Sequence, residues 1–460
     1  MGFLIDFFSQ PAIIAALVVL VGLIALKKSF TEIISGTINA FLGFIILLVG
    51  ATTISGALSN FGKLFQKAFN MHGLIPSNEA SIAVTIAKFG SQATFIFVIA
   101  LILNIVIARF TKYKYIFLSS DHAFYMACCV TPAMILSGMN FWETILFGSI
   151  ALGSILCIFP AIAHPAMKKI TGRDDMSFAH FGTIGYWLSS KVGGLFKKNA
   201  KSIDEIKFPK GLAFLQDSNV SVMIVMAILF YLVTIVTGPQ YIRTITSTNP
   251  YVWALLQSAD FSAGIMILVM GVNILLKELS PAFKGFSDKI VPSAVPGYPF
   301  AVLFKGTSNA IIAGFLASLA GGILSMLLQI AFHMNVVIPG LVTHFFCGGI
   351  AAIFGNATGG KKGALIGPFI NGIITSFLPL IALSLFGTLG FSSTYFSDSD
   401  FLVIGIILGL CAKIGKYPLM IATTAIFVFP FIATVFSKQK APVVDPNRNA
   451  KTAKKEFKNI

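Results

Sequence analysis

A short polar segment interrupts an apolar stretch in the first third of the chain, and its side chains are of types that bind or catalyse. Residues 119–122 read Ser-Ser-Asp-His, and apolar sequence resumes directly after them. An ionisable pair within a hydrophobic run is costly in a bilayer, so such pairs mark functional sites. The segment nominates Ser120, Asp121 and His122 for a polar site near the membrane midplane. A loop tip at the headgroups and a buried pair satisfied by neighbouring helices are the alternatives.

Composition places the chain among integral membrane proteins. Hydrophobic residues make up 56% of it and charged residues only 11%, whereas soluble domains carry about 25% charged residues. Its 460 residues accommodate about ten apolar spans of ~20 residues with their loops. We therefore expect an all-α membrane protein whose spans contact lipid.

The net charge of +16 is concentrated in two segments outside the apolar runs. Residues 168–210 hold nine Lys/Arg against four acids, and residues 438–460 hold seven against two. The positive-inside rule places both segments in the cytoplasm, and the charge is no indication of nucleic-acid binding. The sequence predicts one polytopic domain over residues 1–437, with a basic cytoplasmic loop at 167–216 and a basic cytoplasmic tail at 438–460.

Several apolar segments do not read as simple spans. Residues 60–92 are mixed and amphipathic, so we expect them to lie along the membrane interface. Residues 178–188 are too apolar for a solvated connection and predict a short helix that returns to the membrane core. Three prolines between residues 292 and 299 cannot all lie in a regular helix, and they predict a re-entrant element that lines a cavity.

A weak sequence similarity between the two halves of the chain predicts an internal repeat. The sequence that begins at His122 is matched by the one that begins at His344, and a Phe-Pro pattern follows each at a similar spacing. Transporters are often built from such repeats, with broken helices at the repeat interface. Chance matching in low-complexity membrane sequence is the alternative.

The sequence contains no recognised catalytic or metal-binding motif. The sequence has no phosphate-binding Walker loop and no nucleophile elbow. Its six histidines have no Cys or His partner at metal-ligand spacing, so no metal or other cofactor is expected. Asp121 and His122 are adjacent and would not face each other on a helix, which weakens the hypothesis of an intramembrane enzyme.

A transporter requires only a few polar side chains converging within apolar walls. Seven polar residues lie in or beside apolar stretches and are candidates for substrate binding. Each could equally be a hydrogen-bonded residue of helix packing. They are Thr52, Thr53, Asn78, Ser120, His122, His180 and Thr183.

The order and spacing of several local pieces resemble the ascorbate-type IIC permeases of the bacterial phosphoenolpyruvate-dependent phosphotransferase system. The resemblance extends over residues 26–436, and no single piece is diagnostic. The pieces are the segments at residues 26–30 and 36–38, the Asp121-His122 pair, and residues 177–180, 207–217, 290–292, 337–340 and 359–360.

This resemblance implies a homodimeric inner-membrane permease of about eleven transmembrane helices with re-entrant hairpins. A dimerisation domain and a substrate-binding core domain are implied, with alternating access by rigid-body motion of the core. A separate cytoplasmic IIB protein would phosphorylate the substrate, which is ascorbate or a related carbohydrate. The permease would then have no catalytic site of its own.

Site residues carry over position by position. His122 and His180 match the family's two site histidines, Thr52 replaces a serine, and Asn78 replaces a threonine. At three positions a polar family residue becomes apolar: Met126 and Phe181 replace glutamines, and Pro299 replaces an aspartate. Sites built on polar partners discriminate strongly, so the substrate need not be ascorbate. A secondary transporter or facilitator on the same scaffold, with proton coupling through His122 or His180, is the alternative.

Overall fold

The computed structural model describes a chain of long helices joined by very short strands. It describes residues 7, 10–69, 73–74, 76–197, 200–205, 218–291, 293–304, 307–392 and 394–436. The predicted tail at 438–460 and parts of the predicted basic loop therefore lie outside the described residues.

The first half of the chain contains six helices and three strands in the described part. They are α1 (Pro11–Ala25), α2 (Phe30–Phe69), β1 (Gly73–Leu74), α3 (Asn78–Phe110), β2 (Tyr115–Phe117), α4 (Ser120–Leu136), α5 (Phe141–Thr171), β3 (Ser177–Phe178) and α6 (Thr183–Gly194). A 3-10 turn (Ile203–Glu205) follows in the described part of the basic loop.

The second half repeats the mixture of long helices and short strands. It contains α7 (Ser218–Thr237), α8 (Pro239–Ile242), α9 (Pro250–Ile290), β4 (Val295–Tyr298), α10 (Ala301–Phe304), α11 (Ser308–Ala331), β5 (Val336–Val337), α12 (Leu341–Phe386), α13 (Ser399–Ile414) and α14 (Lys416–Phe436). Helix α12 bends at Gly360, whose φ of 56° and ψ of −145° are not helical. Glycine tolerates this conformation because it has no Cβ.

The all-α membrane class is confirmed. Six helices of the described part are long and apolar enough to cross a membrane, and two shorter apolar helices accompany them. The chain is therefore a multi-pass membrane protein. The number of eleven spans stays a prediction.

One local prediction is wrong. Residues 60–92 do not form one interfacial segment, because α2 continues to Phe69 and α3 already begins at Asn78. The helix break predicted at residues 292–299 is present, since α9 ends at Ile290 and strand β4 follows at Val295. Its re-entrant course stays a prediction.

Short parallel strands were not predicted, and they organise the centre of the protein. Strand β4 lies between β2 and β3, and all three run parallel. The register pairs Phe117 with Gly297 and Phe178 with Tyr298. Two backbone bonds continue past the strands: Leu118 N–H donates to Gly297 O at 3.0 Å, and Ala179 N–H donates to Tyr298 O at 2.8 Å.

The strand pairing crosses between the two halves of the chain. Strands β1 and β2 flank α3, while β4 and β5 flank the segment that contains α11. Strand β1 pairs with β5, and β2 pairs with β4. Two strand–helix–strand units that exchange their strands would give this pattern. It supports the internal repeat, which stays a prediction.

The helices pack in two groups. Helices α1, α2, α7 and α9 pack on one another, and the remaining long helices form a second group in which α3 and α5 contact the three-stranded sheet. In the second group, α3 packs on α4 and α5, while α12 packs on α6, α11 and α13. The sheet thus lies among helices of both halves, where backbone groups must find partners within the protein.

The outer edge of β2 is satisfied by one side chain of α3. Asn104 is buried, and its Nδ2 donates to Tyr115 O at 3.1 Å. Its Oδ1 accepts from Phe117 N–H, also at 3.1 Å. A single amide therefore supplies both the donor and the acceptor that a further strand would have supplied.

We predict that Asn104→Leu strongly destabilises the protein. It leaves the buried Phe117 N–H without its partner, at about 1–3 kcal/mol, and leaves the Tyr115 carbonyl with only the weak bond from Cys157 Sγ at 3.5 Å. Thermal unfolding of the purified protein in detergent would show a lower midpoint. Asn60→Leu is the matched control, because in the described contacts the half-buried Asn60 amide bonds only the side chain of Gln257. Equal midpoints for the two variants would contradict the role given to Asn104.

Candidate functional site

The carboxyl ends of the three central strands meet at one edge of the sheet. His122 follows β2 as the third residue of α4, His180 follows β3, and Pro299 directly follows β4. Parallel strands that pair in this register bring the residues after them together. In open sheets of parallel strands, ligands bind at this edge. The sheet thus joins three positions that lie far apart in the sequence.

The two histidines lie in contact, and both are buried. Their ring centroids are 4.0 Å apart, and His122 is 7% exposed and His180 3% exposed. Phe178 lies nearly parallel to His180 at 5.8 Å, and Phe401 lies nearly parallel to His122 at 5.9 Å. The imidazole pair therefore sits between two apolar rings.

Hydrogen bonds fix the position of the pair and the tautomer of His122. Ser119 Oγ, just before α4, donates to Ala179 O at 2.7 Å, which ties the start of α4 to the loop after β3. Phe181 N–H donates to His122 Nδ1 at 3.4 Å. A neutral imidazole that accepts at Nδ1 carries its proton on Nε2. The Tyr186 hydroxyl lies 2.9 Å from His180 Nδ1.

A third ionisable group, Asp398, enters the site from the other half of the chain. It is 4% exposed and is the N-cap residue of α13, although its side chain makes no capping bond. Instead its Oδ1 accepts from Asn78 Nδ2 at 3.0 Å and from Ser397 Oγ at 3.0 Å. Asn78 Oδ1 in turn accepts from Ser397 N–H at 3.0 Å. Asn78, nominated by the sequence, therefore reaches the site through Asp398.

The Cys347 thiol closes this side of the site. It is buried and adjoins Tyr186 and Asp398. Cys347 belongs to the first part of α12, so the site draws side chains from α3, α4, α6, α12 and α13. Convergence of polar groups from several elements inside apolar walls is typical of a binding site for a small polar molecule.

A second aspartate, Asp400, holds the start of α6. Its carboxylate accepts from the N–H groups of Thr183 and Ile184, both at 2.7 Å. Thr183 Oγ1 donates to His180 O at 2.7 Å, and Asp400 N–H donates to Phe181 O at 3.0 Å. The orphan N–H groups at the start of α6 are thus paired with a carboxylate, and the loop that carries His180 is fixed.

The connection that leads into β3 is anchored by another aspartate at the end of α5. Asp174 Oδ2 accepts from Lys168 Nζ at 2.8 Å, and Asp174 Oδ1 lies 3.0 Å from His164 Nε2. The bond from Lys168, and then that with His164, holds the pKa of the Asp174 carboxyl below its usual range. This anchor fixes the direction in which the chain enters β3 and so supports His180.

The site has the side-chain types of a metal centre. His122, His180 and Asp398 each place one potential ligand atom within 4.8 Å of the other two, in a search of the described residues. Two histidines and one carboxylate bind divalent transition metals in many proteins. The Phe181 N–H bond to His122 Nδ1 opposes this use, because it leaves Nε2 protonated and unable to ligate. The expectation of no metal stays a prediction.

Five other nominated residues lie in or beside the helices and strands of the site, and three of them are apolar. Met126 lies one turn after His122 on α4 and is fully buried. Phe181 is also fully buried, and its ring stacks on Phe117 at 4.9 Å. Pro299 is buried at the end of β4. Ser120 begins α4, and its side chain is outside the described part. Asp121 is half-buried in the first turn of that helix.

The structure does not bring Thr52 and Thr53 to the histidines. Both lie within the continuous helix α2, which is not interrupted at these positions. Their hydroxyls donate to Leu48 O and Val49 O of the same helix, each at 2.9 Å. In the described contacts they act as ordinary helix residues, and their substrate contact stays a prediction.

Sequence reasoning missed Asp398, Asp400, Tyr186 and Cys347. The segment Ser397-Asp398-Ser399-Asp400 precedes an apolar run, as does the segment at residues 119–122. The apolar run that predicts this span begins only at Phe401, so both aspartates lie just outside it. A systematic search for acids at the start of apolar runs would have found them. Nothing in the local sequence distinguishes Tyr186 or Cys347.

Comparison with known proteins agrees with the resemblance seen in the sequence. The family model EIIC-GAT, described as "PTS system sugar-specific permease component", matches residues 6–400. The chain is also similar to the "Ascorbate-specific PTS system EIIC component" of Mycoplasma pneumoniae, with 23% identity over 439 residues. That match covers 83% of this chain and 66% of the relative, so the chain spans slightly less than two thirds of the relative's length.

We predict that Asp400→Asn destabilises the protein by about 1–3 kcal/mol. The amide would turn an NH2 group toward at least one of the N–H and O–H donors that Asp400 now accepts. Asp121→Asn is the control, since the half-buried Asp121 lies in the first turn of α4 and contributes about 0.3–1 kcal/mol through the helix dipole. Thermal unfolding in detergent measures both, and a larger loss in Asp121→Asn would contradict the assignment.

Proposed function

The chain belongs to the family of sugar-specific permease components of the phosphotransferase system, and we propose that it translocates ascorbate or a related carbohydrate. Transport proceeds by alternating access. A separate cytoplasmic IIB subunit phosphorylates the substrate, and the permease has no catalytic site of its own.

The convergence of His122, His180 and Asp398 is the observation that carries this proposal. The three buried groups lie within 4.8 Å of one another, in a chain whose helices are apolar enough to cross a membrane. Ionisable residues at membrane depth mark substrate or ion pathways. Non-helical backbone at that depth is tolerated where it is buried in protein or lines a cavity, and transporters place their sites at such breaks.

The proposed site residues follow from this geometry. His122 and His180 bind substrate directly, and Asn78 and Thr183 position the groups that touch it. Ser120 and Asp121 lie at the entrance to α4, while Met126, Phe181 and Pro299 form apolar walls. Thr52 and Thr53 reach the substrate only in another conformation, after the two helix groups have moved against each other.

The larger assembly is also part of the proposal. Helices α1, α2, α7 and α9 pack on one another apart from the sheet, and we assign them to the dimerisation domain of a homodimer. The remaining helices form the substrate-carrying core, which moves as a rigid body. The basic loop and the tail face the cytoplasm of a bacterial cell, where the IIB subunit docks.

A secondary transporter without phosphotransferase partners is the alternative function. The contact between two imidazoles beside a carboxylate favours it, because chains of His and Asp side chains at membrane depth form the proton relays of pumps and transporters. A proton gradient would then drive accumulation of unmodified substrate.

Uptake into membrane vesicles distinguishes the two functions. Right-side-out vesicles are loaded with phosphoenolpyruvate, the general phosphotransferase proteins and a pair of IIA and IIB proteins, and are given labelled ascorbate, pentoses and hexitols. We expect a phosphorylated product inside, and none when phosphoenolpyruvate is left out. Accumulation of unmodified solute that depends on a proton gradient would contradict the proposal.

We predict that His122→Ala and His180→Ala each reduce this uptake at least roughly tenfold, because each removes a hydrogen bond made to a polar substrate in a buried site. Expression and dimer formation should stay unchanged by size-exclusion chromatography. His333→Asn is the control. His333 is exposed and has a positive φ of 52°, which asparagine tolerates. Normal uptake by both site variants would refute the assignment of the histidines.

A further inference from the structure

We propose that Tyr186 is a positioning residue that holds His180 in one tautomer, with the imidazole proton on Nε2. Both site histidines then present an Nε2–H donor to the substrate. This inference rests on the proposed function, because it concerns how a binding residue of the same site is prepared for substrate. It assigns a role to a buried hydroxyl that sequence reasoning did not nominate.

The Tyr186 hydroxyl is buried beside one nitrogen of His180. Tyr186 lies in the first turn of α6, and its side chain is fully buried. Its Oη lies 2.9 Å from His180 Nδ1, which is the distance of a good hydrogen bond. The contact therefore occupies Nδ1 and leaves Nε2 as the nitrogen that is available to a ligand.

Close packing keeps the hydroxyl in this place. The Tyr186 ring contacts Phe354, with ring centroids 5.5 Å apart, and meets Phe178 edge-on at 5.8 Å. Phe178 in turn lies nearly parallel to His180. At Gly182, directly before α6, a Cβ would collide with the Tyr186 hydroxyl. The glycine therefore provides the space that the hydroxyl needs to reach the imidazole.

The phenol proton goes to His180 Nδ1, because the sulfur beside it is a weaker acceptor. A phenol has one proton and can give it to one acceptor. The Cys347 thiol adjoins Tyr186, and a thiol sulfur accepts only weakly. The thiol can instead donate to the phenol oxygen, which leaves the phenol proton for the imidazole. His180 then accepts at Nδ1 and carries its own proton on Nε2.

His122 is held in the same tautomer by a different group. Phe181 N–H donates to His122 Nδ1 at 3.4 Å, and a backbone N–H can only donate. The two imidazole rings lie 4.0 Å apart, and in the described contacts neither Nε2 has a hydrogen-bond partner in the protein. Two neighbouring Nε2–H donors are thus left for oxygen atoms of the substrate. The other tautomer of His180 would place a lone pair where the second donor is needed.

Nitrogen NMR on the unmodified protein tests the tautomer directly. The full-length chain is isotopically labelled at its histidine nitrogens and placed in lipid nanodiscs at neutral pH. The signals of His180 are assigned by their loss in His180→Asn. Protonated and unprotonated imidazole nitrogens give well-separated resonances, and we expect His180 to have a proton on Nε2 and none on Nδ1. A proton on Nδ1 would overturn the inference.

Tyr186→Phe removes the hydroxyl and keeps the ring. We expect His180 to become a mixture of the two tautomers, and the KM of phosphoenolpyruvate-dependent uptake to rise roughly 3- to 10-fold, as for one neutral hydrogen bond. The rise is limited because the substrate can still select the correct tautomer. The probe is whichever of labelled ascorbate, D-xylose and galactitol the wild-type vesicles take up.

Tyr115→Phe is the matched control for this substitution. Tyr115 is also a buried tyrosine beside a histidine, since its ring centroid lies 5.4 Å from that of His164. Its hydroxyl has no hydrogen bond in the described contacts. We expect this variant to keep the wild-type His180 signals and the wild-type KM.

Gly182→Ala tests the same contact without removing the hydroxyl. The added methyl group takes the place of the Tyr186 hydroxyl, so the His180 signals and the KM should change in the same direction as in Tyr186→Phe. Gly194→Ala is its control at the other end of α6, because a Cβ there meets no atom within 4 Å. That variant should match wild type in both measurements.

The possible failures are distinguishable. Wild-type His180 signals in Tyr186→Phe refute the positioning role even when the KM rises, because the hydroxyl would then act through packing alone. A KM within about twofold of wild type refutes the importance of the tautomer for binding. Absence of uptake for all three probes refutes the proposed function, while the nitrogen spectrum still decides the tautomer. If Tyr186→Phe does not fold, the unmodified chain and Gly182→Ala decide the question.

Discussion

Backbone hydrogen bonds between three short strands determine how this protein builds a site inside apolar surroundings. Every N–H and C=O at membrane depth needs a partner in the protein, and a non-helical segment cannot supply its own. The segments that precede His122 and His180 therefore pair with β4, which lies between them. The free edge of β2 is paired by Asn104. Because these bonds cannot be exchanged for water, the histidines are held at a fixed distance.

The electrostatics of the site follow from the same arrangement. Strands that end at one edge send several helices away from it, so their N-termini gather around the histidines. Concentrated positive helix ends would make an anion site. Here acids balance them, and Asp400 accepts two N–H groups of α6 from a residue of α13. Asp398, at the start of α13, accepts from the neutral donors Asn78 and Ser397 and does not cap its own helix.

The sequence predicts the class of this protein well and its centre poorly. Hydropathy and the small number of charges are properties of long segments, so they predict a multi-pass α-helical protein that the structure confirms. The polar interruption at residues 119–122 and the resemblance at residues 177–180 locate His122 and His180 correctly in space. Residues 60–92 were misread because α2 and α3 carry polar residues toward protein neighbours, and local amphipathicity does not distinguish this from an interface.

The central sheet could not have been predicted from local sequence. Its strands are two to four residues long, and periodicity has no meaning over such lengths. Their pairing joins residues as far as 180 positions apart, as in Tyr115 with Val295. Asp398 shows the same limit. Its acidic segment is visible in the sequence, but its position in the site depends on a hydrogen bond from Asn78, which lies on another helix.

The crosswise strand pairing also constrains how the proposed transport motion can occur. Strand pairs β1–β5 and β2–β4 each join the N-terminal half to the C-terminal half. Sliding one half against the other would break buried backbone bonds that nothing else could satisfy. A motion that keeps these bonds must carry both halves of the core together, with the histidines and Asp398 moving as one unit. The change of access must then arise at the contacts between this core and helices α1, α2, α7 and α9, where side chains rather than strands make the interface.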